Sequence, residues 1–261
     1  MDIVDVSNKE MNYPGYNYNP YHDIIGEICR TGDISNFKTY DSYKEILEHV
    51  SPNLGYLYLQ HIRHTTSISN DDIVEYCNMN DKVGNPMKVE YGELYASPSS
   101  LRYIFHAHLI LTYMQSLNIS SVDIVELGGG YGGLCLAVHY FASKYNIRIN
   151  SYTIVDLTNP IKLQELYISK VNPSLKVSYV DANTYGENIS QKDMFLISNY
   201  CFSEISSQHQ KQYVEKLFPK VSHGFITWNF IPVYNFKPGL KVEAEYPQTS
   251  TSGNNNKYVY F

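Results

Sequence analysis

The stretch at residues 126–133, E-L-G-G-G-Y-G-G, has the residue types and spacing best suited to ligand chemistry. It follows an apolar run at residues 122–127 that predicts a buried strand, and it precedes an apolar helical pattern at residues 134–145. Glycines permit unusual dihedrals and close approach of a ligand, and the start of a helix offers free N–H groups. Strand, turn and helix therefore predict a nucleotide-binding corner.

The glycine spacing suits two cofactor classes. Gly128, Gly130 and Gly133 match the G-x-G-x-x-G pattern of dinucleotide sites, and Asp156 follows at the spacing of a ribose-binding acid. Gly128, Gly130 and Gly132 also match E-x-G-x-G-x-G, the first motif of S-adenosylmethionine-dependent methyltransferases. The glycines alone do not decide between NAD and S-adenosylmethionine.

Glu126 favours the second class. An ionised carboxylate at the end of a buried strand costs several kcal/mol unless it is paired. It would repel a pyrophosphate, whereas it would attract the ammonium of a methionine moiety. The structural alternative is that Glu126 caps a nearby backbone turn or pairs with a lysine.

Composition excludes several other classes. The 261 residues carry a net charge of −6, whereas general nucleic-acid-binding proteins carry an excess of basic residues. Four cysteines without a C-x-x-C pair are typical of reduced thiols in an intracellular protein. The polar residues 1–10 do not resemble a signal peptide, and no apolar run has the length of a membrane span. We therefore expect a cytoplasmic protein that binds neither nucleic acid nor membrane.

Residues 1–100 predict an irregular arm (1–20) followed by a small helical cap. Short helices are expected at 21–30, 42–50, 54–65 and 70–77. A long loop at residues 81–100 carries Tyr91 as a candidate substrate-binding residue, because long loops in compact proteins are usually functional or mobile. His61 and His64 share a helix face, but no third ligand has a matching spacing, so no metal site is predicted.

A helix at residues 101–117, capped by Ser99 or Ser100, opens the second part of the chain, residues 101–261. It carries Arg102, a candidate substrate-binding residue, and two histidines. His106 is a candidate catalytic base. The alternative is that His108 is a hydrogen-bonded core residue and His106 lies on the surface.

Strands and helices then alternate. The pattern predicts strands at 122–127, 148–156, 176–180, 193–198 and 224–228, with helices at 134–145, 161–171 and 208–218. This spacing implies right-handed crossovers and a parallel sheet. Two last strands, 240–246 and 257–261, predict an antiparallel hairpin.

From residue 122 onward the chain resembles class I S-adenosylmethionine-dependent methyltransferases: the glycine motif, Asp156 after the second strand and Asp181 after the third occur in the order of that family. S-P-S-S-L-R-Y at 97–103, V-E-L-G-G-G-Y-G-G at 125–133 and S-N-Y-C-F-S-E-I at 198–205 more narrowly resemble sugar O-methyltransferases of polysaccharide-modifying gene clusters. The resemblance implies a Rossmann-like α/β sheet of seven strands with an antiparallel C-terminal hairpin, here behind an N-terminal helical cap. It implies S-adenosylmethionine as cofactor and S-adenosylhomocysteine as product, held by Glu126, Gly128, Gly130, Tyr131, Gly132, Asp156, Leu157, Asp181, Ala182 and Asn199.

The same resemblance implies a methyl acceptor above the ends of the fourth and fifth strands. The expected acceptor is a sugar, a nucleotide-sugar or a glycan, bound by Tyr91, Arg102, Tyr200, Ser203, Trp228 and Asn229. A sugar hydroxyl is a weak acid, so a base matters, and Glu204 is the first candidate, with His106 as its competitor. An NAD-binding oxidoreductase and a catalytically silent, methyltransferase-like interaction module remain as alternatives, and a homodimer is left open.

Overall fold

The computed structural model describes residues 19–249 and 255–261. Residues 1–18 of the predicted arm, and residues 250–254 in the polar loop of the predicted hairpin, lie outside the described residues. In the described part of the chain, no helix is both long enough and apolar enough to cross a membrane.

Four helices form the N-terminal layer: α1 (Asn19–Thr31), α2 (Asp41–Lys44), α3 (Pro52–Thr65) and α4 (Asn70–Asn80). The Ser51 side chain accepts a hydrogen bond from the Leu54 N–H and so caps α3. Ser69 and Asp72 form a reciprocal capping box at the start of α4. The helical cap is present, but its second helix ends at Lys44, and turns replace the helix expected to continue to residue 50.

The segment predicted as a long loop contains a hairpin. Strands β1 (Val89–Tyr91) and β2 (Leu94–Ala96) pair antiparallel, with alternating exposure on either side of the turn at Gly92. Gly92 has a φ of +71°, which lets two three-residue strands join tightly. The prediction of an irregular loop over residues 81–100 is therefore wrong. Each strand has only three residues, which is too few for the alternation of apolar and polar residues to be recognised in the sequence.

Helix α5 (Pro98–Ser116) follows directly. Its N-cap is Ser97, whose side chain accepts a hydrogen bond from the Ser100 N–H, and not Ser99 or Ser100 as expected. Pro98 explains the earlier start, because proline is favoured at the first position of a helix.

The remaining chain forms an α/β sheet with its crossover helices. Its strands are β3 (Ser121–Leu127), β4 (Arg148–Asp156), β5 (Ser178–Asp181), β6 (Met194–Asn199), β7 (Val221–Trp228), β8 (Lys241–Ala244) and β9 (Lys257–Tyr260), and its helices are α6 (Gly133–Ala142), α7 (Thr158–Val171) and α8 (Ser207–Lys216).

The seven strands stand in the order β5-β4-β3-β6-β7-β9-β8. The first five are parallel, and β9 runs antiparallel to both β7 and β8. This confirms the predicted fold class: a Rossmann-like sheet of seven strands with an antiparallel C-terminal pair. The strand order reverses between β3 and β6, and ligands of open α/β sheets bind outside the carboxyl ends of the strands at such a point.

Helix α5 joins the N-terminal layer to the sheet. It packs against α3 and α4 on one side and against α6 on the other. One hydrophobic core extends from Ile25 in α1 through Ile104 in α5 to Ile124 in β3, all with no exposed surface. The helical layer and the sheet therefore share one core, and the cap is held above the carboxyl ends of the strands.

Candidate functional site

A cavity of about 730 Å³ lies at the carboxyl ends of β3, β4, β6 and β7. Its volume is within the range of about 300–1,000 Å³ that is usual for small-molecule sites. Ten of the predicted site residues line it: Arg102, Glu126, Gly128, Gly130, Asp156, Leu157, Asn199, Tyr200, Glu204 and Asn229. The fold thus brings together residues that lie up to about half of the chain apart.

The glycine turn forms one wall. Gly128 has a φ of +74°, and its N–H donates to the Val155 carbonyl over 3.0 Å. A Cβ at Gly128 would lie only 2.4 Å from Cβ and Sγ of Cys201, so no other residue fits without displacement. Gly132, with a φ of +100°, ends the turn and begins α6 without a side-chain cap. The turn is therefore shaped by backbone requirements that only glycine meets.

Glu126 lines the cavity just before this turn. Its residue is 1% exposed, and its Oε2 accepts a hydrogen bond of 2.8 Å from the Tyr152 hydroxyl. Burial raises the pKa of Glu126 to about 8, the Tyr152 hydrogen bond opposes this rise, and Asp156 adds to it. Glu126 forms no ion pair with any lysine or arginine in the described part of the chain. The structural alternative, a capping or lysine-paired Glu126, does not describe this side chain.

Asp156 ends β4 and faces the glycine turn. Its Oδ2 accepts from the Gly129 N–H (3.0 Å) and from Gln164 Nε2 (2.8 Å), and its Oδ1 accepts from the Leu157 N–H (2.8 Å). Burial raises its pKa to about 6, while these three hydrogen bonds oppose the rise. Each carboxylate oxygen has two lone-pair sites, so Oδ1 retains capacity for a ligand hydroxyl.

Four of the predicted cofactor residues do not line the cavity. Asp181 accepts from the Asn183 N–H (2.8 Å) and from Thr158 Oγ1 (3.3 Å), so it caps the short turn that includes Ala182. Tyr131 points into the core, where its hydroxyl bonds to Asn80. Gly132 supports the turn from outside the cavity. Asp181, Ala182, Tyr131 and Gly132 were predicted to contact the cofactor, and the structure places all four outside the lining of this cavity.

The polar end of the cavity lies beyond β6. Asn199 ends this strand, and its Oδ1 accepts a 2.6 Å hydrogen bond from Thr227 Oγ1. Tyr200 follows in the left-handed region, with a φ of +60°, and its hydroxyl bonds to Glu245 and Thr249. Glu204 and Asn229 complete this end of the lining. The end is therefore rich in groups that can bind hydroxyls.

Three candidate substrate residues lie elsewhere. Trp228 is 1% exposed, stacks on Phe236 with an angle of 5° between the rings, and donates from Nε1 to the Ile231 carbonyl. Trp228 is therefore a core residue, and the prediction that it stacks on a sugar is wrong. Tyr91 is buried in the hairpin, where its hydroxyl donates to the Pro52 carbonyl over 3.2 Å. Ser203 is buried and accepts from the Asn229 N–H, so it supports the cavity from behind.

The alternative for the two histidines of α5, a hydrogen-bonded His108 and a surface His106, holds for the first residue only. His108 Nδ1 lies 2.6 Å from the Tyr145 hydroxyl, as that alternative expects. His106 is not on the surface: it has no exposed area and packs edge-on against Tyr58 and Tyr258. It lies close to Asn199 without a well-formed hydrogen bond, and burial together with the Arg102 charge lowers its pKa to about 3.

Several lining residues carry no sequence signal. Leu47 and His49 come from the turns after α2, and Thr249 and Asn256 come from the β8–β9 connection. Behind them, Glu245 is 2% exposed and accepts from the Thr249 N–H and Asn256 Nδ2, each over 3.0 Å. These positions belong to no periodic pattern or motif, so only the fold reveals them.

Metal ligands do not converge in the described part of the chain, where no three His, Cys, Asp or Glu side chains form a group suited to a metal ion. His61 packs between Phe105 and Tyr246. The four cysteines are free.

Comparison with known proteins gives matches only at the level of structure. No protein-family model and no curated protein sequence matches. Solved structures that are similar include a protein of Galdieria sulphuraria assigned as a sarcosine dimethylglycine methyltransferase (16% identity, 61% of this chain and 60% of that one, TM-score 0.40). Another is an rRNA methylase of Streptococcus thermophilus (10% identity, 61% of this chain and 95% of that one, TM-score 0.42). A third is the plantazolicin methyltransferase BpumL in complex with SAH (14% identity, 71% of this chain and 61% of that one, TM-score 0.37).

This chain therefore spans about 60% of the length of the first and third of these proteins.

Proposed function

We propose that the chain is an S-adenosylmethionine-dependent methyltransferase that methylates a hydroxyl of a sugar or glycan. The observation that carries this proposal is the pair of carboxylates, Glu126 and Asp156, on either side of the glycine turn in one cavity. They stand at the carboxyl ends of adjacent parallel strands, β3 and β4, beside the point where the strand order reverses.

Glu126 supports a sulfonium cofactor over a dinucleotide. A pyrophosphate at the glycine turn would stand next to this buried acid, whereas an α-ammonium group would supply the missing positive charge. Ion pairing favours the charged carboxylate, so the ammonium would bring the pKa of Glu126 down from about 8. Asp156 is the group that would hold the ribose hydroxyls, and Gly129 and Gly130 allow close approach of the nucleoside.

The base would stack beyond the ribose. Leu157 and Pro160 line this side of the cavity, and Ile205 and His209 line it as well. Leu157 is 41% exposed, which leaves an apolar surface uncovered. Such a slot suits a flat adenine ring, and it lies next to the ribose-binding acid.

The acceptor end supports a hydroxyl substrate. Bound S-adenosylmethionine supplies an electrophilic methyl group, and the chain must hold the acceptor oxygen in line with the S–CH₃ bond. Asn199 and Asn229 offer amide donors and acceptors for neighbouring hydroxyls. Glu204 is the carboxylate at this end that would take the hydroxyl proton as the new O–CH₃ bond forms and the S–CH₃ bond breaks, leaving neutral S-adenosylhomocysteine.

Calorimetric titration with S-adenosylhomocysteine and, separately, with NADH tests the cofactor. We expect micromolar affinity for S-adenosylhomocysteine alone, weakened at least about tenfold in Glu126→Gln. Asp123→Asn is the matched control, because Asp123 lies in the same strand but outside the cavity. Binding of NADH alone would support an oxidoreductase, and binding of neither would support the silent module.

A second assay tests the acceptor. Transfer of a labelled methyl group from S-adenosylmethionine is followed with monosaccharides, nucleotide-sugars and polysaccharides, and in parallel with RNA, DNA and peptides. Transfer to a compound of the first group supports the proposal. Transfer confined to the second group would contradict the sugar assignment while leaving the methyltransferase assignment intact.

A further inference from the structure

Three buried side chains beside the polar end of the cavity have unpartnered polar atoms. Arg102 (2% exposed) leaves Nε and Nη1 without hydrogen bonds, Tyr58 (0%) leaves its hydroxyl without one, and His106 (0%) forms no well-formed hydrogen bond from either ring nitrogen, although Asn199 lies close to it. Nearly all buried polar groups of native proteins are paired with protein or with ordered water. Several unpartnered groups in one place therefore indicate a binding partner that the chain itself does not supply.

The three side chains form one cluster. The rings of Tyr58 and His106 lie 6.2 Å apart, centroid to centroid. Arg102 is close enough to both for its charge to act on their pKa values: burial raises the pKa of Tyr58 and the Arg102 charge opposes this rise, whereas burial and the Arg102 charge both lower the pKa of His106. Arg102 also lines the cavity, and its Nη2 is anchored by a 3.1 Å hydrogen bond to the Leu47 carbonyl. Arg102 is thus the member of the cluster that lines the cavity, and Tyr58 and His106 are buried behind it.

The unpartnered groups of this cluster are mainly donors. Arginine has five N–H donors and no acceptor, and a protonated tyrosine donates its hydroxyl hydrogen. His106 is neutral, so one of its nitrogens donates as well. Two acidic side chains lie near the cluster. Glu245 accepts from Tyr200, Thr249 and Asn256. Glu48 is close enough for its charge to act on Arg102, but it forms no ion pair with Arg102 within 4.0 Å.

We propose that Arg102, supported from behind by Tyr58 and His106, forms a subsite for an anionic group of the methyl acceptor, a carboxylate or a phosphate ester. The assignment of the anion to the acceptor rests on the proposed function, whereas anion binding at the subsite does not. A guanidinium with unpartnered N–H donors suits charge-assisted hydrogen bonds to either group. The acceptor is then a sugar acid or a sugar phosphate, not a neutral sugar.

Apparent dissociation constants of glucuronate, glucose 6-phosphate, glucose and inorganic phosphate test the subsite. They are measured by thermal shift of the full chain saturated with S-adenosylhomocysteine, at constant ionic strength set with sodium chloride. We expect at least one anionic sugar to bind about tenfold or more tightly than glucose. Equal effects of the charged and neutral sugars, or no effect of any of them, would overturn the proposal.

Variants then locate the binding. Arg102→Met should abolish the preference for the anionic sugar. Tyr58→Phe, which retains the guanidinium, should weaken the binding of that sugar several-fold. Arg148→Met is the matched control, because Arg148 is exposed at the opposite end of β4. A preference that survives in Arg102→Met and Tyr58→Phe would overturn the subsite.

Two further outcomes separate the sources of the anion. Stabilisation by inorganic phosphate with none by glucose 6-phosphate or glucuronate would assign the subsite to a free ion and overturn its role in the acceptor. S-adenosylhomocysteine binding is read in the same samples. Its absence overturns the proposed function, whatever the anions do, so the two failures are distinguishable.

Discussion

The Asp156 carboxylate accepts a 3.0 Å hydrogen bond from the backbone N–H of Gly129, so the acid at the end of the second sheet strand also holds the glycine turn after the first. Gln164 from α7 donates to the same oxygen and to the Gly130 carbonyl. The turn and the proposed ribose contact are therefore one hydrogen-bonded unit, and a change in one changes the other.

Asp156→Ala should weaken binding of S-adenosylhomocysteine at least about 100-fold. It removes the charge-assisted hydrogen bond that Oδ1 would accept from the ribose, worth about 1.5–3 kcal/mol, and it loosens the turn that positions the nucleoside. Calorimetric titration gives the affinity, and Asp123→Ala in the preceding strand serves as control. Unchanged affinity in Asp156→Ala would remove this residue from the ribose site.

Glu126 should make cofactor affinity depend on pH. Its pKa of about 8 in the empty cavity means that the carboxyl is mainly neutral at pH 6 and ionises as the pH approaches 8. Because the ammonium group binds the ionised form, affinity for S-adenosylhomocysteine should rise between pH 6 and pH 8. Titrations across this range should show the rise in the wild type and a flatter profile in Glu126→Gln. A profile with the same slope in both proteins would exclude Glu126 as the ammonium partner.

The same residue predicts the opposite trend for the stability of the empty protein. A carboxyl whose pKa is raised on folding, from an ordinary 4.5 to about 8, contributes stability that is complete below pH 4.5 and is lost as the pH rises through 8. The free energy of unfolding should therefore fall by a few kcal/mol from this group between about pH 5 and pH 8. Urea unfolding of the wild type and of Glu126→Gln at both pH values measures the difference, which should be smaller in the variant.

Gly128→Ala should destroy the site, while Gly92→Ala should not. Both glycines have a φ above +70°, so both substitutions impose similar backbone strain, about 1–2 kcal/mol. Only at Gly128 does the new Cβ meet a neighbour, Cys201 at 2.4 Å, whereas nothing lies within 4 Å at Gly92. We expect loss of S-adenosylhomocysteine binding and an additional 1–3 kcal/mol, roughly, of destabilisation for Gly128→Ala alone. Equal losses in the two variants would show that strain, and not close packing, explains this glycine.

Glu204→Gln should lower kcat by about 10²–10⁴-fold once an acceptor is known, and it should leave S-adenosylhomocysteine affinity unchanged, because a general base acts only in the chemical step. His106→Asn should mainly raise KM for the acceptor. His106 is neutral, with a pKa of about 3, so it is a weak base near neutral pH. Full activity of Glu204→Gln with a low kcat in His106→Asn would reverse the two roles.

Glu245→Ala should destabilise the chain by at least about 3 kcal/mol. It leaves the Tyr200 hydroxyl, the Thr249 N–H and Asn256 Nδ2 without their buried acceptor, and each orphaned group costs about 1–3 kcal/mol. Glu243→Ala is the matched control: Glu243 is exposed on β8, and its ion pair with Lys241 contributes little. Urea unfolding measures both variants, and a small effect of Glu245→Ala would show that this hydrogen-bond network does not stabilise the cavity wall.

Local sequence patterns were sufficient to predict the sheet and the wall of the cavity around the glycine turn. Apolar runs predict the buried parallel strands, because such strands are covered on both faces, and glycine spacing predicts the turn. Glu126 and Asp156 follow from their positions near strand ends, since the carboxyl ends of parallel strands meet at one edge of a sheet. These relations depend on residues within about 30 positions of one another.

The other wall was decided by tertiary structure. Trp228 was expected at the site because it ends a strand, but packing against Phe236 places it in the core. Arg102, Tyr58 and His106 meet only because α3 and α5 pack side by side. Glu245 lies 45 positions after Tyr200 in the sequence and contacts it only in the folded chain. A helix face or a strand edge shows which side chains are apolar, but not which partner covers them. The sequence thus determined the nucleotide corner, where local geometry sets the contacts, and long-range packing decided the acceptor end.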